Sequence, residues 1–526
     1  MFDITLSLEY NTLEYILGGL NMLLKDAIKN IEIIEYKGDL NIDVNNISSD
    51  SRLIKPNGFF FAITGYKQKG TDFIESAIKN GAVAIAVESD VDLDSLNYEG
   101  ITFIKIDNIR RNLALCSCTI YDNPSKKLKI IGVTGTKGKT TSTFMIKSIL
   151  QKHGYKVGLI GSIACYIDDK MLEVLDRTTQ ESYKIQEYLD MMVKENVDIV
   201  ILEVSSQAMK MDRVVGCDFD IALFTNLTED HISPNEHPTM EDYFEAKLSL
   251  LKLAPVCVVN LDNEYTNRVP NLLPSDKKII TFGVENKADI MAKDFKYTNH
   301  SVDFSLVTPE YTKDVTVSIP GQYMAYNALG AITVARYFGA TYEDIKSGLN
   351  PFHVFGRSEM VPNKLGYKIM IDYAHTPSSL ESILKTVKPY TEGRVICTWG
   401  VGGDRDRTKR PLMGEISGTI ADFTILTADQ VRSENPKQIF DDIEVGLKKS
   451  GGEYTIIQNR TEALRYALHL MNKDDILVIP GLGNDLYIEY MGVKYPYNER
   501  IVISELIDEM IDPEHSKHVE TQNEIF

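Results

Sequence analysis

One stretch, K-I-I-G-V-T-G-T-K-G-K-T-T from Lys129 to Thr141, constrains the fold of this chain more than any other. Its apolar start predicts a short buried strand, and its end opens an amphipathic helix that should stop near His153. The turn Gly135-Thr136-Lys137-Gly138 lies between them. A strand, a glycine-rich turn and a helix N-terminus together predict a phosphate-binding loop, because backbone N–H groups and the helix dipole attract anions.

Two side chains of this loop indicate its chemistry. Lys139 would reach the terminal phosphate oxygens of a bound nucleotide, and the hydroxyl of Thr140 could bind Mg²⁺. The strict form of the motif carries glycine where this chain has Val133, so the loop departs from it at one position. The strand before the loop and the helix after it still favour a nucleotide site over a chance glycine-rich turn.

The composition narrows the class of protein. The chain has 526 residues, a length typical of three or four domains, and its formal net charge is −19. Such an acidic chain argues against a nucleic-acid or anionic-membrane partner. Six scattered cysteines without metal-like or disulfide-like spacing predict reduced thiols in a cytoplasmic protein. No apolar run of about 18 residues occurs, so we expect no membrane-spanning helix. We also expect a monomer.

The order of predicted elements indicates an α/β fold in three domains. We expect a small α/β N-terminal domain over residues 1–128, and a central P-loop-type ATPase domain with a mostly parallel sheet over 129–355. In residues 356–512, short apolar runs alternate with amphipathic segments, which predicts a Rossmann-like, doubly wound domain before a tail over 513–526.

The first residues of the chain look like an extension. Residues 1–21 precede a predicted helix that starts at Met22, so we expect Met22 to be the natural start. N-terminal sequencing of the native protein tests this hypothesis, and a native N-terminus at Met1 rejects it.

Charged side chains near the ends of the central strands are candidate metal ligands. The apolar run Ile199–Glu203 ends in an acid, where a nucleotide-binding sheet places its Mg²⁺ carboxylate. His231 follows the next strand, and Lys247 lies on the helix after it. Taken alone, His231 is more often a satisfied surface residue and Lys247 a solvated helix charge.

Ten short motifs follow one another in a fixed order along nearly the whole chain. They are S-S-D-S-R at 48–52, V-T-G-T-K-G-K-T-T at 133–141, T-T-Q-E at 178–181, L-E-V-S-S-Q-A at 202–208, F-T-N-L-T-E-D-H at 224–231, Y-F-E-A-K at 243–247, Y-N-A-L at 326–329, F-G-R-S-E at 355–359, I-D-Y-A-H-T-P at 371–377 and G-G-D-R-D-R-T-K-R-P-L-M at 402–413. Each motif is weak alone, but the ordered set resembles the Mur ligase family, and within it the E-type group.

The resemblance implies an ATP-dependent peptide ligase of peptidoglycan precursor synthesis, with ATP and Mg²⁺ as cofactors and small molecules as its partners. The N-terminal domain would hold the UDP end of a UDP-muramoyl-dipeptide, the central domain ATP, and the C-terminal domain the incoming amino acid. The substrate carboxylate would attack the γ-phosphorus to form an acyl phosphate, which the amine of the amino acid then attacks.

The resemblance also assigns site residues. Those assigned to ATP are Gly135, Thr136, Lys137, Gly138, Lys139, Thr140, Thr141, Asn327, Arg357, Asp372 and His375. Those assigned to the UDP-muramoyl-dipeptide are Ser49, Ser51, Tyr66, Lys67, Gln68, Thr178, Thr179, Ser205 and Arg213. Those assigned to the amino acid are Arg405, Asp429, Gln430, Arg432, Gly481 and Asp485. The Mg²⁺ ligands would be Thr140, Glu203, His231 and Lys247, with Lys247 as a carbamate. The catalytic set would be Lys139, Glu203, His231 and Lys247.

Two departures bear on which amino acid is added. The family reads D-N-P-R or D-N-P-A where this chain has Asp429-Gln430-Val431-Arg432, and G-K-G-H-E where it has G-L-G-N-D at 481–485. In the resembled family an arginine at the fourth position goes with meso-diaminopimelate, whose distal carboxylate suits a guanidinium. We therefore expect meso-diaminopimelate. The alternatives are a divergent ligase that adds L-lysine or another amino acid, and a silent scaffold, against which the retained catalytic set argues.

Overall fold

The computed structural model describes residues 21–65, 68–229, 232–233, 236–298 and 300–512. The chain divides into two compact units. The first holds residues up to Thr143 together with Gly154–Ile280, and the second holds Phe144–His153 together with the chain from Thr281 onward. Both units contain parallel strands with helices between them, as the α/β pattern of the sequence predicts.

The first unit begins with a small α/β layer. Its elements are β1 (Met22–Leu23), α1 (Leu24–Ala27), β2 (Glu35–Lys37), β3 (Asp43–Val44), β4 (Asn46–Ser48), β5 (Gly58–Phe61), α2 (Ile74–Lys79), β6 (Ala82–Glu88), β7 (Thr102–Ile106) and α3 (Ile109–Ile120). The main sheet has the order β2-β7-β6-β5-β4, with only β2 antiparallel. Phe59 and Phe61 pack into one core and Phe60 into another, so β5 is buried on both faces. The helix predicted from Met22 begins at Leu24, because Met22 pairs with Val44.

The larger sheet of the first unit surrounds the phosphate loop. Its elements are β8 (Lys129–Thr134), the start of α4 (Lys139–His153, which belongs to the second unit from Phe144), β9 (Val157–Ile160), β10 (Ala164–Ile167), β11 (Lys170–Val174), α5 (Ser182–Lys194), β12 (Ile199–Glu203), α6 (Ser206–Lys210), β13 (Ile221–Phe224), α7 (Met240–Leu253) and β14 (Val256–Asn260). The strand order is β11-β10-β9-β12-β8-β13-β14, parallel from β9 to β14. The apolar run Ile199–Glu203 forms strand β12 and ends in the acid, as the sequence predicts.

The second unit opens with strands that the sequence did not reveal. Its first elements are β15 (Lys278–Gly283), which lies across the boundary between the units, β16 (Ile290–Tyr297), β17 (Val302–Val307), β18 (Thr312–Val317), α8 (Gln322–Tyr337) and α9 (Tyr342–Leu349). An antiparallel meander joins β16, β17 and β18. Val302, Phe304 and Leu306 alternate with less buried residues in β17. This period of two is a strand signal, but each strand is short and carries polar residues.

The C-terminal part is a doubly wound sheet. Its elements are β19 (Glu359–Met360), β20 (Lys368–Asp372), α10 (Pro377–Val387), β21 (Val395–Trp399), α11 (Lys409–Ile420), β22 (Phe423–Leu426), α12 (Pro436–Ser450), β23 (Tyr454–Ile456), α13 (Arg460–Leu470), β24 (Ile476–Pro480), β25 (Tyr487–Tyr490), β26 (Val493–Pro496) and α14 (Glu499–Ile511). The sheet order is β19-β20-β24-β21-β22-β23. All pairs except β19–β20 are parallel, which confirms the predicted alternation.

Local chemistry explains where one of these helices starts and stops. The side chain of Asn435 accepts a hydrogen bond from the backbone N–H of Lys437, and Pro436 occupies the first helical position of α12. The helix ends at Gly451, whose φ of 71° favours glycine. Short 3-10 turns lie at Ser51–Leu53, Gly70–Phe73, Leu93–Ser95, Pro124–Lys127, Thr266–Asn271 and Lys388–Tyr390.

Three further predictions concern the whole chain. All six cysteines are buried and free, as expected for reduced thiols. Over the described ranges, no helix has the length and apolar character needed to cross a membrane. The predicted extension up to residue 20 and the tail from 513 lie outside the described residues.

Candidate active site

The phosphate loop connects β8 to α4, as the sequence predicts. Gly135 has a φ of 148°, and a Cβ at this position would lie 1.9 Å from the hydroxyl oxygen of Thr225. The loop therefore requires glycine here, both for its backbone conformation and for its packing. Lys139 Nζ donates hydrogen bonds to the carbonyl oxygens of Gly135 at 2.9 Å and Thr136 at 3.1 Å. The ammonium thus lies against the loop whose N–H groups suit a phosphate.

Two residues at the end of β13 hold the phosphate loop in place. The backbone N–H of Lys137 donates to Asn226 Oδ1 at 3.0 Å, and Asn226 Nδ2 donates back to the Lys137 carbonyl at 3.0 Å. Thr225 Oγ1 donates to the same carbonyl at 2.8 Å. These side chains make the loop a fixed structure.

The carboxylate of Glu203 lies beside the first turn of α4 and is fully buried. Glu203 Oε2 accepts hydrogen bonds from Thr140 Oγ1 at 3.1 Å and from Ser162 Oγ at 3.0 Å, and Oε1 accepts one from the Ser162 backbone N–H at 3.1 Å. A Cβ on Gly161 would lie 2.3 Å from Oε1, so the close approach requires glycine. A hydroxyl and a carboxylate at one strand end are the oxygen donors that Mg²⁺ prefers, so Thr140 and Glu203 fit the predicted ion.

The other predicted metal ligands are Lys247 and His231. Lys247 is buried, and its Nζ donates to the carbonyl oxygen of Gly135 at 2.8 Å. Its ammonium lies 4.6 Å from the centre of the Tyr243 ring. Lys247 is therefore not a solvated helix charge. His231 lies outside the described residues, and within the described part no group of three or more His, Cys, Asp or Glu side chains could hold a metal.

The residues predicted to bind the muramoyl-peptide cluster around the backbone of Glu203. Thr179 Oγ1 donates to the Glu203 carbonyl at 2.9 Å and accepts from the backbone N–H of Ser205 at 3.0 Å. Thr178 Oγ1 lies 3.1 Å from Ser162 Oγ. Arg213 donates to the Thr179 carbonyl at 3.1 Å. The structure thus brings Thr178, Thr179, Ser205 and Arg213 together at the carboxyl end of β12.

The guanidinium of Arg213 is held in an electrostatic pair. It lies 2.9 Å from Glu181 Oε1, the same oxygen to which Arg177 donates at 2.9 Å. Burial lowers the pKa of Arg213 from its ordinary value, while Glu181 opposes that change. Arginine stays protonated in proteins, so Arg213 is a permanent cation beside Thr179.

The residues predicted to lie near the uridine occupy the small N-terminal layer. Ser51 is buried, its hydroxyl donates to Ser76 Oγ at 3.1 Å, and its carbonyl accepts from Asn80 Nδ2 at 2.8 Å. Ser49 is half-buried, and Gln68 is exposed in the loop after β5. Tyr66 and Lys67 lie outside the described residues.

The residues predicted to contact adenine and ribose lie in the second unit, on α8, at the end of β20 and in the loops beside β19 and β20. Asn327 is buried on α8. Asp372 ends β20, and its Oδ2 accepts from the Ser358 backbone N–H at 2.7 Å. Burial raises the pKa of Asp372, and the nearby Arg357 opposes this. The guanidinium carbon of Arg357 lies 4.5 Å from the centre of the Tyr373 ring. His375 is exposed, and its Nδ1 is 2.8 Å from the Tyr373 carbonyl.

The residues predicted to choose the amino acid follow the carboxyl ends of β21, β22 and β24. Gln430 Nε2 donates to Asp485 Oδ2 at 3.2 Å and to the Tyr487 carbonyl at 2.9 Å, and Gln430 Oε1 accepts from the Glu489 N–H at 2.7 Å. Burial raises the pKa of Asp485 to about 6, and the charge of Asp429 adds to this effect. Gln430 therefore ties the loop after β22 to the segment after β24.

The cations at this edge are Arg432 and Arg405. Arg432 has a φ of 53°, and its Nη1 donates to the Gly403 carbonyl at 2.5 Å. Arg405 is exposed in the neighbouring loop after β21. The phenol of Tyr373 has a pKa raised by burial, and the charges of Asp485, Arg357, Asp429 and Arg405 all act on it. The carboxylates and guanidiniums of this edge therefore surround Tyr373.

A buried ionic cluster lies directly beneath this edge. Arg460 Nε donates to Glu499 Oε1 at 2.6 Å, and Arg460 Nη1 lies 3.8 Å from Asp429 Oδ2. A Cβ on Gly481 would lie 2.2 Å from that same oxygen. Burial raises the pKa of Asp429, and Arg460 opposes this. The guanidinium of Arg460 thus forms ion pairs with two buried carboxylates, Asp429 and Glu499.

Several residues of the site do not follow from the sequence. Thr225 and Asn226 lie inside a motif but carry no chemistry that marks them as loop supports. Ser162 and Tyr243 are common residue types at unremarkable positions. Arg460 and Glu499 lie 39 residues apart and pair only in the folded chain. An arginine opening one amphipathic helix and a glutamate opening another are the only signals, and each usually indicates a solvated charge.

Comparison with known proteins agrees with this geometry. Three family models match consecutive stretches: "Mur ligase family, catalytic domain" at 43–120, "Mur ligase middle domain" at 133–335 and "Mur ligase, glutamate ligase domain" at 356–483. The chain is thus an α/β protein with three Mur ligase domains.

Relatives and solved structures extend the match. The UDP-N-acetylmuramoyl-L-alanyl-D-glutamate–2,6-diaminopimelate ligase of Caldanaerobacter subterraneus subsp. tengcongensis is 41% identical over 490 residues, which cover 93% of this chain and 99% of that protein. The enzyme of the same name from Clostridium tetani is 42% identical over 492 residues, covering 93% and 100%. A solved structure of a ligase with this name has a TM-score of 0.65 at 28% identity, covering 94% of this chain and all of that one. This chain belongs to the Mur ligase family.

Proposed function

We propose that this protein is an ATP-dependent ligase that adds 2,6-diaminopimelate, in its meso form, to UDP-N-acetylmuramoyl-L-alanyl-D-glutamate. The reaction joins the amine of the amino acid to a carboxylate of the dipeptide and belongs to peptidoglycan precursor synthesis. Relatives named for this reaction share about two fifths of their residues with this chain across nearly its whole length. We place the protein in the cytoplasm, where its six free cysteines would stay reduced. We also propose that it acts as a monomer.

One observation carries the proposal for the first half-reaction. Thr140 of the phosphate loop and Thr179 of the peptide-binding cluster both bond to Glu203, one to its carboxylate and one to its carbonyl. A carboxylate bound by Thr178, Thr179, Ser205 and Arg213 would therefore lie next to the phosphate loop. That proximity is what the transfer of a phosphoryl group to a carboxylate requires.

The side chains of this region have separate tasks. Lys139 would neutralise charge on the transferring phosphoryl group, and Arg213 would hold the anionic peptide. Thr140 and Glu203 would hold one Mg²⁺, with His231 and a carbamylated Lys247 for a second. Bound Mg²⁺ would supply charge neutralisation for the phosphoryl group.

The amino-acid edge supports diaminopimelate over L-lysine. Arg432 places a guanidinium at the carboxyl ends of β21 and β22, and a distal carboxylate pairs with a guanidinium far better than an ammonium does. Asp485 accepts a hydrogen bond from Gln430, two residues before Arg432, and would also accept from an amino group of the same substrate. A substrate with an ammonium and a carboxylate at its far end matches both charges.

The test is a phosphate-release assay. Wild-type protein with ATP, Mg²⁺ and UDP-muramoyl-dipeptide is offered meso-diaminopimelate, L-lysine and a panel of other amino acids, and mass spectrometry identifies the product. We expect the highest kcat/KM with meso-diaminopimelate. A higher kcat/KM with L-lysine overturns the assigned amino acid, and no turnover with any amino acid overturns the ligase assignment.

A further inference from the structure

Three polar side chains form a hydrogen-bonded chain beside the peptide-binding cluster. His237 Nδ1 lies 2.6 Å from Asp242 Oδ2, and His237 Nε2 lies 2.9 Å from Ser206 Oγ. His237 and Ser206 are both buried, with 1% and 5% of their surface exposed. Asp242 also pairs with Lys210 Nζ at 2.9 Å. We call Ser206, His237 and Asp242 the serine–histidine–aspartate chain.

The partners determine the tautomer of His237. Asp242 is a carboxylate and accepts a hydrogen bond, so His237 Nδ1 carries the proton. His237 Nε2 is then an acceptor, and the Ser206 hydroxyl donates to it. The groups that face the imidazole are Asp242, Lys210, Lys247 and the Tyr243 ring, whose centre lies 4.9 Å away. Burial lowers the pKa of His237, which agrees with a neutral ring.

This arrangement has the order of a hydrolytic triad, but its surroundings favour another role. A nucleophilic serine must reach a substrate, whereas Ser206 is buried within the first turn of α6. Asp242 lies in the first turn of α7, where the Thr239 hydroxyl also caps the helix. The serine–histidine–aspartate chain therefore connects the start of α6 to the start of α7 through the segment that carries His237.

Each end of the serine–histidine–aspartate chain adjoins a different binding region of the proposed first half-reaction. Ser206 follows Ser205, whose backbone N–H donates to Thr179 in the peptide-binding cluster. On α7, Tyr243 follows Asp242, and its hydroxyl lies 3.2 Å from Thr136 Oγ1 in the phosphate loop. The chain is thus a direct polar connection between the start of α6 and the helix that contacts the phosphate loop.

We propose that His237 is a positioning residue for the muramoyl-peptide: through its bond to Ser206 it fixes Ser205 and Thr179 relative to the phosphate loop. This assignment rests on the proposed function. Neither motif spacing nor the catalytic set identifies His237. Among the described residues its ring bonds to Ser206 and Asp242, neither of which lies in the phosphate loop. Its effect on catalysis would run through the position of the peptide, not through ATP.

Two substitutions separate the two bonds of His237. The amide of His237→Asn sits where Nδ1 lies and keeps the bond to Asp242 but cannot reach Ser206. The amide of His237→Gln reaches the place of Nε2 and keeps the bond to Ser206. We expect His237→Asn to raise the KM for UDP-muramoyl-dipeptide about tenfold, equivalent to about 1.4 kcal/mol, and His237→Gln to remain within about threefold of wild type. In both variants the KM for ATP should change less than about twofold. This is small beside the change of about tenfold expected in the KM of His237→Asn for the dipeptide.

Ser206→Ala provides the second arm, since it removes the same bond with little change in volume. We expect it to match His237→Asn, and the double variant to be no worse than either single one, because coupled partners are not additive. His153→Asn is the matched control, since His153 Nδ1 also pairs with a carboxylate, Asp344, at 2.8 Å, outside the peptide-binding cluster. We expect it to leave both KM values unchanged.

The outcomes are distinguishable. Equal rises in the KM for dipeptide and ATP, equal effects of His237→Asn and His237→Gln, or a lower melting temperature with unchanged KM each overturn the positioning role. In those cases wild-type turnover still supports the proposed ligase. If wild-type protein itself fails to turn over UDP-muramoyl-dipeptide, the proposed function fails and the positioning role falls with it.

Discussion

Glu203 in the first unit and Asp429 in the second are both buried carboxylates at the carboxyl ends of parallel strands, yet their surroundings differ. Both oxygens of Glu203 accept hydrogen bonds, from Thr140 and from Ser162. Asp429 Oδ1 accepts from the Gln430 N–H at 2.6 Å, but Oδ2 has no hydrogen-bond partner among the residues that the structure describes. The nearest cation to that oxygen, Arg460 Nη1, lies 3.8 Å away.

Other polar atoms near Asp429 are also buried without a hydrogen-bond partner. Arg460 Nη2, Glu499 Oε2 and the Tyr497 hydroxyl are buried and also lack hydrogen-bond partners within the described ranges. Buried polar atoms without partners are costly, and they are few in most folded proteins. The phosphate and peptide side is therefore fixed by hydrogen bonds within the protein. The amino-acid side instead balances buried charges whose pKa values respond to one another.

The largest expected loss of activity comes from a substitution in the phosphate loop of the first unit. Lys139→Ala should remove acyl phosphate formation and lower kcat at least about 10³-fold, because the lysine acts on transferring charge and not on the core. The measurement is phosphate release together with the melting temperature. Lys152→Ala, an exposed lysine on the same helix, is the control and should retain activity. Near-normal turnover in a folded Lys139→Ala protein would defeat the assignment.

The next largest loss of activity concerns Lys247, which, like Lys139, donates to the Gly135 carbonyl. Lys247→Ala should lower kcat about 10²-fold, and short carboxylates should partly restore it if a carbamate supplies metal-binding oxygens. Activity is measured across a range of added acetate or formate, and mass spectrometry of wild type detects the carbamate. Lys252→Ala, exposed on the same helix, is the control. A fully active Lys247→Ala variant would show that the contact with Gly135 serves no catalytic purpose.

A third, smaller effect should appear on the amino-acid side alone. Arg432→Ala should raise the KM for meso-diaminopimelate about 30-fold, because a hydrogen bond to a charged group contributes about 1.5–3 kcal/mol. The KM for ATP should stay within about twofold of wild type, since the guanidinium lies at the amino-acid edge and its one hydrogen bond among the described residues is to Gly403 of the neighbouring loop. Arg407→Ala removes a neighbouring arginine that pairs with Asp442 and should change neither value. Unchanged amino-acid selectivity in Arg432→Ala would exclude this arginine from recognition.

The smallest expected effect is a change with pH in the KM for the amino acid. Because the pKa of Asp485 is about 6, its carboxylate forms as pH rises through that value, and binding of an amino group should improve. We expect the KM for meso-diaminopimelate to fall between about pH 5 and pH 7, and Asp485→Asn to abolish the change. The KM for ATP over the same range is the internal control. An identical profile in Asp485→Asn would refute the role of Asp485.

The free energy of unfolding should fall as pH rises over this range, while substrate binding improves. The folded-state pKa of Asp485 lies above the unfolded value of about 3.9. Its neutral form therefore contributes stability that is fully present below about pH 4 and is lost as pH rises through about 6. Denaturant unfolding of wild type and Asp485→Asn measures this, and the two stabilities should converge at low pH. Parallel curves would contradict the raised pKa.

Most elements of this protein can be predicted from its sequence. The run Ile199–Glu203 is a strand because its continuous apolar side chains can only be buried on both faces of a parallel sheet. The amphipathic segments of the C-terminal part form helices such as α10 and α12, and Pro377 and Pro436 after capping residues mark where these begin. The meander over 290–317 does not stand out in the sequence, because only β17 alternates strictly while β16 and β18 each carry adjacent Lys and Asp residues.

The sequence by itself also determined the phosphate loop, because a strand, a glycine turn and a helix start are local chemistry. Tertiary structure decided what surrounds that loop. Lys247 reaches Gly135 across 112 residues, and His237 reaches Ser206 across 31. Gln430 reaches Asp485 across 55 residues. Side chains so far apart in sequence have no local pattern that pairs them, since their proximity depends on strand order and on which strand ends meet. Burial after β24 then raises the pKa of Asp485, on which the proposed pH dependence rests.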